Sequence, residues 1–434
     1  MERKIYQKLN QWKESKYRKP LILQGPRQVG KTYALLSFGR KEYEQVAYFN
    51  FQTDPNLQET FLENIHPDYL IPLLSRISKV SITKGNTLII FDEVQLCERA
   101  LTSLKYFCEE APEYHIAAAG SLLGVAVNRQ QYSFPVGKVD ILNLHPMDFE
   151  EFLLAMNERE LIDDIRSAFA TNEPLPAVLH DTAENLYRQY LLVGGMPECV
   201  EKYVDTRDFL LIRHTQDAIL TGYMSDMSKY NKTTEIHKTN LVYNSLVVQL
   251  SRKNTRFQYK LVKKGGRASE LENAIEWLVL SGIVERIFKT EQGKKPLENY
   301  KNIDDFKIYM SDIGLLSAKM NLIPNDVLFM TADIDEFKGG LTENYVNQQL
   351  TASGYTPFFW TGEKNNEVDF VIQREGVVLP IEVKAGDHVR STSLNVFAKR
   401  YGIEHSIRIS SKNFGYEDGK KLIPHYALFC LSDS

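Results

Sequence analysis

The sequence predicts an α/β fold: a parallel sheet covered by helices, then a helical region, a winged-helix-like region and a second α/β module. Three observations predict it. Over the first 155 or so residues, short β-type apolar runs alternate with helical patterns, as expected of strands joined by crossover helices. Those runs are continuously apolar instead of alternating, which fits a sheet buried on both faces. Beyond Asp148 the pattern turns helical, and after Leu341 β-type segments return.

A chain of 434 residues exceeds one ordinary core, and its size alone suggests about three domains. Shifts of pattern divide it into segments 1–155, 156–235, 236–325 and 326–434. Hydrophobic residues at 43% and charged residues at 25% are the balance of a soluble globular protein. A net charge of -4 excludes the global basic field of a DNA-coating protein, leaving only local basic patches. Cys97, Cys108, Cys199 and Cys430 form no CxxC pair and no Cys/His cluster of zinc spacing, so a reducing cytoplasm is expected. The N-terminus, MERKIYQKLNQWKESKYRK, interrupts its apolar positions with charge, unlike a signal peptide. No stretch approaches the roughly 18 apolar residues of a membrane span, so no membrane partner is expected.

The first strand, LILQ (21–24), leads into GPRQVGKT (25–32), the spacing of a phosphate-binding loop. Glycines at 25 and 30 let backbone N–H groups turn towards an anion, and the helix that follows presents its positive end there. Gly25, Pro26, Arg27, Gln28, Val29, Gly30, Lys31, Thr32 and Tyr33 are therefore the candidate ATP-binding residues. Lys31 would reach the outer phosphates and Thr32 would hold Mg²⁺. After QVAYFNF (45–51), the strand TLIIFD (87–92) ends in Asp92, followed by Glu93. Two adjacent carboxylates at the end of a buried strand need water, metal or a partner. Asp92 would bind Mg²⁺ through water, and Glu93 would orient the attacking water. The strand HIAAAG (115–120) leads to Ser121, a candidate for touching the γ-phosphate or attacking water. Arg99 and Arg129 are candidate arginine fingers, with a solvated surface role as the other reading. VDILNL (139–144) reads as the fifth strand.

Together GPRQVGKT, IIFDEVQ, AAAGS and SFPVGKVDILNLHPMDFEEF resemble bacterial and archaeal AAA+-type P-loop ATPases of the clade near the STAND and ORC/Cdc6 proteins. In LLVGGMPECV, Gly195 and Pro197 resemble the GxP element of that clade's helical lid. The resemblance implies that Pro197 contributes to the nucleotide site. It extends through KIYMSDIGLL to IEVKAG, as in relatives with a C-terminal domain of unknown function. Many relatives have arginine where this chain has Lys138 after Gly137; lysine keeps the charge but not the planar fork.

In EVDFVIQREGVVLPIEVKAG, Asp369 lies in one β-type segment, and Glu382 and Lys384 in the next. Strand alternation sends Glu382 and Lys384 to one face and Val383 to the other. This constellation resembles the PD-(D/E)XK nuclease fold, also called restriction-endonuclease-like, with Glu343 matching the family's helix-borne acid. The resemblance implies Mg²⁺ binding by Asp369 and Glu382, assistance from Glu343, and Lys384 steadying the attacking water or phosphate charge. Val368 replaces the usual leading proline. An inactive surviving fold and simple Glu382–Lys384 pairing are the competing readings.

Residues 236–290 contain the apolar-periodic helix ASELENAIEWLVL followed by a β-type segment, which reads as a winged helix. Before it, Arg252, Lys253, Arg256, Lys260, Lys263, Lys264 and Arg267 interleave with Phe257 and Tyr259, a pattern suited to phosphate contacts. DNA contact through residues 252–285 and the C-terminal module is one expectation, and a solvated lysine face is the other. The functional expectation is an ATP-hydrolysing, Mg²⁺-dependent switch whose nucleotide state moves the lid and winged-helix region relative to the nuclease-like module. Its alternative is an ATP-regulated scaffold that binds a protein partner and cuts nothing.

Overall fold

A computed structural model describes residues 1–54, 56–120, 134–230, 233–252, 255–335, 337–363, 366–385 and 392–432. It divides into two compact units: Arg3–His145 with Leu280–Gly282, and the remainder of the chain.

The N-terminal unit carries five strands, β1 (Leu21–Gln24), β2 (Gln45–Asn50), β3 (Thr87–Asp92), β4 (His115–Ala119) and β5 (Asp140–Asn143). All pairs are parallel, in the order β2-β3-β4-β1-β5. Ile22, Phe49, Ile89 and Phe91 enter one core, while Leu21, Leu23, Leu88 and Ile90 enter the other. Burial on both faces explains why the strands read as unbroken apolar runs. Only β5, at the edge, alternates between partly buried and exposed residues. Insertion of β4 between β1 and β3 brings three strand ends to one rim, where the phosphate-loop residues and the acids emerge.

The larger unit holds helices Phe149–Ala155, Arg159–Thr171, Ala177–Val193, Pro197–Thr206, Phe209–Tyr230 and Thr233–Leu250, then Ala268–Leu280. Asp148 begins this run with a capping box: its side chain accepts from Glu151 N, and the Glu151 side chain accepts from Asp148 N. Eight further strands make one mixed sheet: β6 (Val284–Thr290), β7 (Lys301–Met310), β8 (Phe358–Thr361), β9 (Glu367–Arg374), β10 (Val377–Val383), β11 (Ser406–Ser410), β12 (Gly415–Glu417) and β13 (Lys420–Pro424). Their order is β12-β13-β11-β10-β9-β8-β6-β7.

The β6–β7 hairpin, expected in the winged-helix segment, thus belongs to the same sheet as the C-terminal strands. β6 runs parallel to β8 through Phe288↔Phe358 and Lys289↔Phe359. Near its tip, Gly293 lies so close to Phe397 and Tyr401 that an added Cβ would come within 2.4 Å of the Phe397 ring. Helices Thr233–Leu250, Tyr259–Val262 and Ala268–Leu280 precede the hairpin, and Arg256 makes an isolated bridge to Lys307 of β7.

The segment expected as a lid shares a core with the C-terminal segment. Tyr187 packs edge-on to Tyr345 at 4.8 Å and stacks on His425 at 5.0 Å. Gln348 donates to the Tyr190 hydroxyl at 2.9 Å, and that hydroxyl donates to Met147 O. Buried Asp312 accepts from Gly195 N at 2.6 Å and from Leu315 N at 2.8 Å. Buried hydrogen bonds and aromatic packing thus join the two segments, and breaking them would leave polar groups unpaired in the interior.

Candidate functional site

The loop after β1 is built by close backbone approach. Gly25 has φ +149°, and a Cβ there would lie 2.2 Å from the Leu144 carbonyl oxygen, so only glycine fits. Pro26 and Val29 are buried, whereas Arg27 and Gln28 are exposed; Gln28 adopts the left-handed φ of 66°. Gly30 is the N-cap of helix Lys31–Glu42, whose first turn has no acidic residue and no side-chain cap. Its N-terminal N–H groups and positive dipole end therefore remain available to an anion. Tyr33 is 66% exposed on this helix.

Lys31 is buried and donates to the Gly25 and Pro26 carbonyls at 2.8 and 2.7 Å. Burial pushes its pKa down to about 8, with Glu93 and Asp92 partly opposing the shift. Thr32 Oγ1 donates to Asp92 Oδ2 at 2.9 Å. The same carboxylate oxygen accepts from Tyr48 OH at 2.7 Å and lies 3.3 Å from Asn50 Nδ2. Its other oxygen accepts from Glu93 N at 3.0 Å. Glu93 has φ 52°, an uncommon conformation for a residue with a side chain, and Gln95 Nε2 donates to its carboxylate.

Tyr48 and Asn50 are site residues that sequence reasoning missed. They alternate on β2, but only the β2–β3 register, which pairs Asn50 with Asp92, brings them to the site. Burial, followed by the competing hydrogen bonds with Asn50 and Asp92, leaves the Tyr48 hydroxyl pKa raised to about 12. Ser121 and Arg129 lie outside the described residues. Arg99 donates to Phe61 O, a bond within the fold, and Lys138 pairs with Glu109 at 2.8 Å on the surface. Pro197 opens helix Pro197–Thr206 in the larger unit.

The C-terminal residues separate into two groups. Glu343 Oε2 accepts from Thr255 Oγ1, Lys307 Nζ and Tyr309 OH at 3.0, 3.1 and 2.8 Å. Lys307, wholly excluded from solvent, also pairs with Glu367 at 2.7 Å. Burial lowers the Lys307 pKa, but Glu343, Tyr309, Glu367 and Asp369 outweigh that effect and hold it well above the usual lysine value. Asp369 accepts from Val383 N at 2.7 Å. Burial and then the Glu343 charge push its pKa up to about 7, against the attraction of Lys307. Glu382 instead lies 3.3 Å from Lys384 and 3.6 Å from Arg408.

This arrangement does not fit the expected Mg²⁺ set of Glu343, Asp369 and Glu382. Among the described residues no group of three His, Cys, Asp or Glu side chains is placed to hold a metal. Glu343 is already bonded to a buried ammonium, and Glu382 faces two other cations. At the phosphate loop, by contrast, the Thr32 hydroxyl and Asp92 carboxylate converge, and both are hard oxygen donors suited to Mg²⁺.

Residues 17–153 match the family model described as an AAA domain. That matched segment carries the parallel sheet and the phosphate-loop geometry described above. Residues 184–326 and 338–428 match two further models, each described as a domain of unknown function (DUF8612 and DUF4143). No curated protein matches the chain. Solved structures similar to it include the Walker-type ATPase PABY2304 of Pyrococcus abyssi, at 14% identity and TM-score 0.43, covering 72% of this chain and 94% of that one. AMPPCP-bound DnaA from Aquifex aeolicus is similar at 14% identity and TM-score 0.30, covering 63% and 86%. The Aeropyrum pernix ORC1 protein in complex with DNA is similar at 12% identity and TM-score 0.25, covering 73% and 90%. Among the described residues, no helix is long and apolar enough to cross a membrane.

Proposed function

We propose that the chain is an ATP-binding, ATP-hydrolysing switch that uses Mg²⁺ and couples nucleotide state to a C-terminal nuclease-like unit that binds or processes nucleic acid. The observation that carries this reading is the meeting of Lys31, Thr32 and Asp92 at one rim of the parallel sheet. Bound Mg²⁺ would neutralise charge on the outer phosphates. Thr32 and Asp92 would hold it, and Tyr48 and Asn50 would fix the Asp92 carboxylate. Lys31 would exchange its two carbonyl partners for phosphate oxygens. Glu93, steadied by Gln95, would orient the attacking water.

A second reading, a nucleotide-regulated scaffold for a protein partner, has its own support. The helix Ala268–Leu280 would be the groove-entering helix of a winged helix, yet its side away from the buried face carries Glu272 and Glu276, both bonded to Arg286. Carboxylates on that side repel phosphates, whereas exposed Arg252, Lys260, Lys264 and Arg267 would attract them. Duplex-DNA anisotropy at two salt concentrations separates the readings. The first expects salt-sensitive binding that weakens when Lys260, Lys264 and Arg267 are changed to glutamate. Binding that is absent at low salt, together with ATP-dependent capture of a protein, selects the scaffold.

A further inference from the structure

We infer that the ammonium of Lys307 is the resident cation of the C-terminal acid cluster, so that the folded unit takes no divalent metal between Glu343 and Asp369. The inference rests on the nuclease-like reading of these acids, and it assigns the cation within that reading to a side chain.

The geometry comes from three elements. Lys307 stands on β7; Glu343 comes from helix Lys338–Ala352; Glu367 and Asp369 come from β9, two residues apart and therefore on one face. Lys307 Nζ bonds Glu367 Oε1 at 2.7 Å and Glu343 Oε2 at 3.1 Å, and it lies 5.2 Å from the centre of the Phe359 ring. A lysine with no solvent exposure is costly unless its charge is paired and hydrogen-bonded, and these carboxylates supply both. Tyr309 and Thr255 complete three donors on one Glu343 oxygen.

A divalent ion in the same place would compete for that carboxylate with three donors. It would also have to lie beside a fixed positive charge. At about 4 Å, two like charges interact by several kcal/mol at the effective permittivity of a protein interior, and two charges on the metal increase that repulsion. The remaining expected ligand, Glu382, is turned to Lys384 and Arg408.

The sequence gives no local hint of this arrangement. Lys307 lies 36 residues before Glu343 in the chain. Its segment, KNIDDFKIYM, forms an edge strand whose last five residues are buried. Only the joining of the hairpin to the C-terminal sheet through β6 and β8 carries the lysine to the acids.

The test is Mn²⁺ binding by titration calorimetry and electron paramagnetic resonance, on the full chain without nucleotide. The unaltered protein should show no Mn²⁺ site that is lost on Glu343→Gln. Lys307→Met removes the ammonium while keeping an apolar stem. It should gain one Mn²⁺ site per chain, and that site should disappear in the Lys307→Met, Glu343→Gln double variant. Near-ultraviolet circular dichroism checks folding of each variant. Mn²⁺ bound by the unaltered protein and lost on Glu343→Gln overturns the inference and leaves the nuclease-like reading standing. A folded Lys307→Met that gains no site overturns both. If Lys307→Met does not fold, the unaltered protein decides alone: a site dependent on Glu343 refutes the inference, and no such site supports it.

Discussion

Thr32 Oγ1 donates to Asp92 Oδ2 across 2.9 Å, joining residues 60 apart in sequence. The sheet order makes this contact, since β4 separates β1 from β3 while all three end at the same rim. If both oxygens serve one Mg²⁺, Asp92→Asn should leave ATP binding largely intact and lower Mg²⁺-dependent hydrolysis by a factor on the order of 100. Phosphate release against Mg²⁺ concentration measures this, and an unchanged rate would remove Asp92 from the site.

Glu93 is held differently, by a left-handed backbone and by Gln95. Glu93→Gln keeps the shape and removes the charge. ATP should still bind, and turnover should drop by about 10²–10⁴ if the carboxylate positions the attacking water. Nucleotide retention after gel filtration and single-turnover kinetics report the two effects separately.

Lys31 makes nucleotide binding dependent on pH. Its pKa in the folded chain is lowered to about 8 from 10.5, so the ammonium is present below about pH 8 and lost above it. ATP affinity should be flat below pH 8 and fall by about tenfold per pH unit above it. Calorimetry near pH 8.5 in buffers of different ionisation enthalpy should reveal proton uptake on binding. For folding the sign is opposite: between about pH 8 and 10.5 the unfolded chain binds the extra proton, so this group alone makes stability rise with pH there.

Gly195 and Asp312 test the joined core of the larger unit. A Cβ at Gly195 would lie 2.0 Å from the Met147 carbonyl oxygen, so Gly195→Ala should cost about 3 kcal/mol or more. Asp312→Ala strips the acceptor from two buried N–H groups and should cost a similar amount, about 3 kcal/mol. Burial raises the Asp312 pKa to about 6 from 3.8. Between those values the folded state holds the extra proton, so this carboxyl makes stability fall as pH rises from about 4 to about 6 and adds no further change above. Urea melts across that range check the slope, which Asp312→Ala should lack.

The phosphate loop and the acidic strand end were legible because local pattern defines both. GPRQVGKT fixes its own turns, and TLIIFD must be a buried strand that ends in charge. Strands β1 and β3 run over the ranges read from sequence. Tyr48 and Asn50 were not legible, because their role depends on which strand lies beside β3. The C-terminal cluster was legible only as residue types. Glu382 and Lys384 lie 3.3 Å apart, but no periodicity reveals that Lys307 enters from another hairpin. Nor could pattern shifts show that Tyr187 and Tyr190 share a core with Tyr345, since a helix face records burial and not its partner.

The decisive measurement is titration calorimetry of ATP with Mg²⁺ into the unaltered chain and into Lys31→Ala, with circular dichroism showing both folded. The unaltered chain should bind ATP. The variant should lose about 3 kcal/mol or more of binding free energy, at least about a hundredfold in affinity, as the charged hydrogen bonds to phosphate disappear. Equal affinities, or no uptake by the unaltered chain at millimolar ATP, would contradict a phosphate site at Gly25–Thr32.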